Sequence, residues 1–79
     1  PLTQKIKKLE KELERLQSRQ TEITTQLAEP DIYEESSKNQ LTGLLKEKGT
    51  IERQIEAVEM EWFEINEELE LLQEKLMTL

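Results

Sequence analysis

A proline-containing stretch interrupts the apolar pattern of this chain at one place and thereby limits the folds open to it. Residues 29–37 read EPDIYEESS, whereas apolar residues recur every three and four positions on either side, which is the signature of a helical seam. Pro30 cannot continue a helix, and it biases the residue before it toward extended backbone. Two amphipathic helices joined by one break can bury their apolar stripes against each other. The pattern predicts an all-α fold, an antiparallel two-helix coiled-coil hairpin, with helices over 2–28 and 38–78 and a tip over 29–37.

Both predicted helices keep the alternating spacing of three and four residues along their seams. The first seam is formed by Leu2, Ile6, Leu9, Leu13, Leu16, Gln20, Ile23 and Leu27. The second is formed by Leu41, Leu44, Lys48, Ile51, Ile55, Val58, Trp62, Ile65, Leu69, Leu72, Leu76 and Leu79. Reflection about the tip places the two polar seam residues, Gln20 and Lys48, near each other. Facing polar residues in one layer would fix the register at a cost in stability, and Trp62 is expected to be half-buried.

The charge distribution favours the same pairing of the helices. Residues 1–20 carry six basic and three acidic side chains, whereas residues 52–75 carry two basic and nine acidic ones. A hairpin lays the basic start of the first helix along the acidic end of the second. Each exposed pair contributes only a few tenths of a kcal/mol, so the charges select the orientation more than they add stability.

The tip contains turn-forming residues and two apolar ones. Ile32 and Tyr33 are too apolar for a freely solvated loop, so we expect both to fold back and close the end of the seam. Two capping boxes are predicted from the Ser/Asp-x-x-Glu/Gln pattern, Asp31 with Glu34 and Ser37 with Gln40. Pro30, Asp31 and Tyr33 are therefore the predicted structural residues of the tip.

The second helix is predicted to be about 14 residues longer than the first, a difference that follows from the two ranges. If Leu2 pairs near Ile65, the apolar residues from Leu69 to Leu79 have no partner in the hairpin. The chain starts at Pro1 with the heptad already running and without an initiator Met, so we expect a fragment of a longer protein. We expect residues before Pro1 to extend the first helix there; another partner for these leucines is the alternative.

The composition argues against catalytic and metal chemistry in this domain. The chain has no Cys and no His and a formal net charge of −7, so thiolate sites and the commonest general base are absent. Lys48-Gly49-Thr50 lacks the strand and loop of a phosphate-binding motif, and the glutamates 67, 68 and 70 are expected to lie on a solvated face. No apolar run reaches the roughly 20 residues of a membrane span. We therefore expect no cofactor in this domain, a cytoplasmic location and a monomer.

Two surface features are candidates for binding. The basic strip, as we name it, consists of Lys5, Lys7, Lys8, Lys11, Arg15 and Arg19. Its side chains can contact the phosphates along a nucleic-acid backbone, or they can balance the charge of the acidic helix beside them. The interleaved glutamates favour the second interpretation. The outer patch consists of Met60, Phe63 and Leu71, which lie off the seam. Scattered apolar surface residues are common, but these three are also candidates for docking a partner.

Three segments together resemble a known family, the C-terminal coiled-coil domain of bacterial ABC-F ATPases. The first is a helix rich in Lys, Glu and Leu that ends in LAEPDIY over 27–33. This ending is similar to that domain's acidic-Pro-x-x-Tyr turn, although Glu29 stands where Asp is common. The second is the rising helix over 41–55, and the third is EMEWFEI over 59–65, with its Trp followed by acidic and apolar residues. The resemblance spans roughly residues 5–75 and is closest to the Uup- and YheS-like branches.

The resemblance implies a parent protein with two upstream cassettes that bind ATP and Mg. It also implies work on the ribosome, its RNA or DNA, because the Uup-type domain binds DNA. We therefore interpret the chain as a non-enzymatic appendage that binds or positions such an ATPase. The alternative is a purely structural or protein-docking coiled coil, a spacer or a dimerisation arm. A prefoldin-like subunit is a weaker option, since its helices would be longer and its tips more apolar.

Overall fold

The computed structural model describes residues 2–78, which form one long helical hairpin. Helix α1 spans Leu2–Leu27 and helix α2 spans Lys38–Thr78, with two 3-10 helices, Pro30–Tyr33 and Glu35–Ser37, between them. The two long helices pack against each other along a rod of 67 × 17 × 14 Å. The predicted all-α two-helix hairpin is therefore confirmed. Pro1 and Leu79 lie outside the described residues, so the seam position predicted for Leu79 is not part of this description.

The core is a single line of side chains between α1 and α2, not a globular interior. Every residue whose burial the structure describes as complete is aliphatic. Each belongs to a predicted seam or to the tip: Leu9, Leu16, Ile23, Ile32, Leu44, Ile51, Ile55, Val58 and Ile65. A second set packs against this cluster from its edges and is only half-buried: Leu2, Ile6, Leu13, Leu27, Leu41 and Trp62. On α1 the fully buried positions recur every seven residues, because two helices alone enclose only the centre of a seam. Each fully buried aliphatic side chain stabilises the hairpin by about 1.5–3 kcal/mol.

Helix α1 ends at Leu27 because the backbone turns extended before the proline. Glu29 has φ −75° and ψ 128°, as expected for a residue before Pro. The Tyr33 hydroxyl donates a hydrogen bond of 2.6 Å to the carbonyl oxygen of Leu27. This phenol thus satisfies one of the carbonyls that a helix leaves without a partner at its C-terminus.

The prediction for the two apolar tip residues was half right. Ile32 is only 5% exposed and closes the end of the seam, whereas Tyr33 is 62% exposed. A four-residue 3-10 helix has three residues per turn, so adjacent side chains point in different directions. Only one of the two can face the core.

Neither predicted capping box forms. Asp31 lies within the 3-10 helix Pro30–Tyr33, whose N-cap is Glu29 and has no side-chain cap hydrogen bond. Its carboxylate is therefore past the position from which it would cap that turn. Ser37 belongs to the second 3-10 helix, and its backbone N–H donates to the Glu34 carbonyl at 2.9 Å. Consecutive 3-10 turns lead into α2 in place of a capped helix start.

Helix α2 continues beyond the start of α1, as the sequence predicted. In this distal part Leu69 is half-buried, and Leu72 and Leu76 are exposed. No helix in the described part of the chain is both long and apolar enough to cross a membrane.

Candidate interaction surfaces

Five of the six residues of the basic strip are exposed on α1. Lys5, Lys7, Lys8, Lys11 and Arg15 are all exposed, whereas Arg19 is half-buried. At 100° per residue, Lys7, Lys8, Lys11 and Arg15 fall within an arc of about 100° on one side of the helix. Within residues 2–78 the ion pairs of the strip involve Arg19 only. The five exposed members therefore form no direct ion pair within the described chain.

This arrangement differs from the interpretation that the sequence favoured, in which the carboxylates of α2 balance the charge of the basic strip. Lys5 and Lys8 do line a shallow cleft with Glu12 and Glu61, so their charges lie near carboxylates without pairing directly. The other exposed members stand on the side of α1 away from the seam. The reason is geometric, since only residues flanking the seam can reach across to the second helix.

Arg19 is the one member of the strip that α2 does engage. Its Nε and Nη2 atoms donate to the two carboxylate oxygens of Glu47, each at 2.6 Å, and its Nη1 donates to Glu22 at 2.8 Å. The hydrogen bonds from Arg19 lower the pKa of the Glu47 carboxyl below its ordinary value. The hydrogen bonds to Glu47, and to a smaller extent the one to Glu22, raise the pKa of Arg19. A bidentate pair of this kind fixes the register of the two helices and removes Arg19 from the surface available to a ligand.

The polar layer predicted around Gln20 and Lys48 is built differently from the expectation. Both residues are half-buried, as seam positions should be. The interhelical hydrogen bonds at this level come instead from Arg19 and Glu47, each one residue before the predicted position. The reflection that pairs Gln20 with Lys48 would place Arg19 opposite Gly49, so it does not predict this pair. The signal that could have found it is that positions flanking the seam of a coiled coil often hold opposite charges.

The outer patch is exposed on α2. Met60, Phe63 and Leu71 are 63%, 65% and 59% exposed. Five carboxylates border an open groove together with Ile55, Met60 and Phe63: Glu52, Glu56, Glu59, Glu64 and Glu67. The surface is therefore apolar at its centre and acidic at its rim.

Trp62 connects the outer patch to the seam. Its ring meets that of Phe63 edge to face, with centroids 5.6 Å apart and an angle of 85° between the planes. The indole packs against the core cluster, while its Nε1 atom is buried without a hydrogen-bond partner among the described residues. Buried indole N–H groups usually have a partner, so this edge of the seam is incompletely satisfied in the hairpin alone.

A further apolar surface lies at the distal end of α2 and includes a residue that the sequence reasoning did not single out. Leu72, Leu76 and Met77 are all exposed, with Leu76 at 73%. Met77 falls off the three-four spacing and carries no periodic signal. We call residues 69–77 the overhang, because they extend past the start of α1.

The described residues contain no group of three acidic, His or Cys side chains placed to hold a metal ion. Their carboxylates lie on the surfaces of two helices. What these surfaces offer chemically is charge and apolar area for contact with another molecule.

Comparison with known proteins gives one match. The family model described as "ABC transporter C-terminal domain" matches residues 2–67, which covers α1, the tip and most of α2. No curated protein matches the chain, and no solved structure does. The match agrees with the resemblance drawn from the Tyr-containing turn and the Trp segment, at the level of ABC proteins in general. It ends before the overhang begins.

Proposed function

We propose that this chain, which belongs to the family of ABC transporter C-terminal domains, positions an ABC-F-type ATP-binding protein on nucleic acid, the ribosome or its RNA. The domain is a C-terminal appendage of an ABC protein. In the proposal, cassettes upstream bind ATP and Mg, and the hairpin supplies contacts without chemistry of its own. Within the family, we propose this positioning role by analogy with the Uup- and YheS-like branches.

The observation that carries the proposal is the exposed part of the basic strip. Its five side chains run from Lys5 to Arg15, about 15 Å along the axis of α1, and make no ion pair within residues 2–78. Lysines that serve only to complement a neighbouring helix are expected at seam-flanking positions, as Arg19 is. Lys5 is at such a position, two heptads before Arg19. Lys7, Lys11 and Arg15 lie on the side of α1 away from the seam, where cations are available for contacts with backbone phosphates.

The net charge of −7 does not prevent such contacts, because most of the acidic residues lie outside α1, and only Glu10, Glu12 and Glu14 stand among the strip. The acidic residues concentrate in the later part of α2, and the rod is 17 × 14 Å across. The Debye length at physiological salt is about 8 Å. Carboxylates on the far side of the rod are therefore largely screened from a phosphate on the strip, whereas at low salt their repulsion reaches it.

The test is a binding titration with single-stranded RNA, structured ribosomal RNA and duplex DNA at several salt concentrations. Three or four phosphate contacts predict a slope of log affinity against log salt of about −2 to −4. Lys7→Glu with Lys11→Glu should weaken binding by about tenfold or more. Lys38→Glu with Lys46→Glu is the matched control, since it makes the same change in net charge at exposed positions on α2. Circular dichroism checks that both variants stay helical.

Equal losses in the two variants would mean that net charge alone matters and would contradict a defined interface. Absence of binding at low salt, both by the chain and by the longer protein, would also contradict the proposal. It would favour the second candidate, a protein-docking arm.

The protein-docking role is favoured by a specific observation, the exposure of Met60 and Phe63 on the outer face of α2. A groove with an apolar centre and a carboxylate rim suits a partner with apolar and basic side chains. Phe63→Gln should then reduce association with the ATP-binding domains while leaving nucleic-acid binding unchanged. Leu45→Gln serves as the control, since Leu45 is also exposed on α2, at 52%, but lies outside the outer patch.

A further inference from the structure

Phe63 lines each of three shallow grooves, which therefore form one continuous surface. One groove follows α2 from Glu52 to Glu67. Another lies between the two helices, next to Leu13 of α1, and a third continues over Asn66. We call this surface the acidic face. Its apolar residues are Leu13, Ile55, Met60, Trp62 and Phe63, and its carboxylates are Glu10, Glu14, Glu52, Glu56, Glu59, Glu64, Glu67 and Glu70.

The charge of the acidic face has one sign. Eight carboxylates line the three grooves, and no Lys or Arg lines any of them. None of the eight forms an ion pair with another residue of the described range 2–78. Glu52 and Glu56 are four residues apart on α2, and like charges at this spacing destabilise a helix. A cationic occupant relieves such repulsion, whereas the phosphates of a nucleic acid would add to it.

The centre of the acidic face is aromatic and exposed. Phe63 is 65% exposed, with Glu59 and Glu67 four residues before and after it. Trp62 meets the Phe63 ring edge to face, which restricts the orientation of that ring, and Met60 beside it is 63% exposed. A guanidinium suits this combination, because it can stack on an aromatic ring while it donates hydrogen bonds to carboxylates.

The shape of the acidic face fits a helix that lies along the hairpin. The groove from Glu52 to Glu67 extends for about 22 Å along α2. Leu13 and Glu10 continue the surface onto α1, so a third helix would contact both helices of the hairpin, as in a helical bundle. Apolar residues at intervals of three and four on that helix reach the aromatic centre, and cations beside them reach the glutamates. The complementary occupant is therefore a basic amphipathic helix.

We infer that the acidic face binds a basic amphipathic helix of a protein partner, with the apolar side of that helix on Met60 and Phe63 and its arginines beside the surrounding glutamates. The inference rests on the protein-docking role proposed above and specifies the chemistry of its partner. It is independent of nucleic-acid binding, because Lys7, Lys11 and Arg15 lie on the outer side of α1 and line none of the three grooves. The family match covers most of this face and assigns no ligand to it.

The probe for the test is a synthetic peptide of about 18 residues, five helical turns, with leucines along one side, arginines on both flanks and no Trp. The fluorescence anisotropy of the labelled peptide measures its affinity for the 79-residue chain. Trp62 is the one Trp of the sequence, so a shift of its emission on binding locates the peptide. Phe63→Gln should weaken binding by about tenfold or more, as expected for loss of a central aromatic anchor. Leu45→Gln should leave the affinity unchanged, since Leu45 is also exposed on α2 but lies outside the acidic face.

Removal of carboxylates separates a defined face from general attraction between an acidic chain and a cationic peptide. Glu59→Gln with Glu67→Gln should weaken binding by about three- to tenfold. Glu61→Gln with Glu68→Gln makes the same change in net charge at exposed positions of α2 that line none of the three grooves, and it should weaken binding far less. A peptide of the same composition, scrambled so that it has no apolar side, should bind about ten times more weakly or less. Circular dichroism checks that the variants stay helical.

Absence of binding by the amphipathic peptide would overturn the inference. Equal losses in the two glutamate variants, or equal binding of the scrambled peptide, would mean that net charge alone attracts the peptide. A loss in Leu72→Gln with Leu76→Gln, but not in Phe63→Gln, would mean that the peptide lies on the overhang. A doubled mass in sedimentation that returns to the monomer in Phe63→Gln would mean that a second copy covers the face.

The variant Lys7→Glu with Lys11→Glu keeps this inference distinguishable from the nucleic-acid proposal. It should weaken RNA binding and should not weaken peptide binding, since the two ligands contact different sides of the hairpin. A chain that binds the peptide and no RNA would contradict only the nucleic-acid proposal, and a chain that binds RNA and no peptide would contradict only the inference drawn here.

Discussion

Tyr33 shows how a single exposed side chain can complete a helix. Helices often end with a residue in the left-handed region, usually Gly, which lets backbone N–H groups reach the last carbonyls. Here no residue among 2–78 has positive φ, and the Tyr33 hydroxyl supplies a donor to Leu27 instead. The exposed ring therefore ties the tip to the end of α1 even though it buries little area.

Removal of this hydroxyl should loosen the tip. Tyr33→Phe keeps the ring and deletes the donor, so the free energy of unfolding should fall by about 0.5–1.5 kcal/mol, the usual range for one hydrogen bond. Ile32→Ala should cost more, about 2–4 kcal/mol, because it opens a cavity at the end of the seam. Urea denaturation measures both. An unchanged stability in Tyr33→Phe would show that water satisfies Leu27 equally well.

Arg19 and Glu47 make the stability of the hairpin depend on pH at one position. Folding lowers the pKa of Glu47, chiefly through the hydrogen bonds from Arg19. A depressed folded pKa means that the contribution is fully present above the ordinary value, near 4.5. It is lost as the pH falls through the lower folded value. The pKa of Arg19 is raised further above neutral pH, so the guanidinium stays charged in both the folded and the unfolded protein. Arg19 itself therefore adds no dependence of stability on pH.

Comparison of thermal unfolding at several pH values isolates this effect. Glu47→Gln should lower Tm at pH 7, and the difference from the wild type should shrink as the pH falls from about 5 toward 3. Glu56→Gln is the control, since Glu56 is exposed and has no ion pair within the described chain. A difference that stays constant with pH would show that Glu47 acts through its shape and not its charge.

At the scale of the helix, α2 contains two glycines that the fold does not require. Neither has positive φ. A Cβ at Gly43 would meet nothing within 4 Å, and one at Gly49 would lie 3.7 Å from Arg53 Nη1, an ordinary contact. Their cost is therefore the conformational freedom that glycine loses in a helix.

Gly43→Ala should consequently stabilise the hairpin by about 0.5–1 kcal/mol. Gly49→Ala should have an effect of the same sign, since its new methyl group fits. Chemical denaturation and hydrogen exchange of the tip-proximal turns of α2 measure both. Destabilisation by Gly43→Ala would indicate that this part of α2 is not regular helix in solution.

Trp62 is the largest side chain in the interface between the helices, and it is half-buried. Trp62→Ala should lower the free energy of unfolding by about 3 kcal/mol, the low end for loss of a large aromatic side chain, because one edge of the indole already faces Phe63 and the surface. Trp62→Phe should cost less, as it keeps the apolar contact and removes the unpartnered N–H. A loss below about 1 kcal/mol in the alanine variant would contradict its packing against the core.

The structure could be predicted from the sequence where apolar residues recur at regular intervals, which is along the two helices. Leu9, Leu16 and Ile23 could be placed in the core because spacings of three and four residues put them on one stripe. The tip has no period, so the directions of Ile32 and Tyr33 depend on where a short 3-10 helix begins, which local spacing does not determine. The heptad itself separates Arg19, which directly precedes a seam position and can reach α2, from Lys11, which lies midway between seam positions on the outer side of α1. The choice of Glu47 as the partner of Arg19 depends on the register, which the spacing alone does not determine. The Tyr turn and the Trp segment indicated the ABC family, while no periodic feature separates its branches.

At the scale of the whole molecule, the hairpin should be recognisable by its length. The Cα radius of gyration is 18.5 Å, whereas a compact domain of this size would have about 12 Å. An unbroken helix over the same residues would be about 115 Å long, well beyond the 67 Å of the rod. Small-angle scattering of the 79-residue chain should therefore give a radius near 18–19 Å and the mass of a monomer. A doubled mass with a longer rod would show that two chains pair through their exposed leucines.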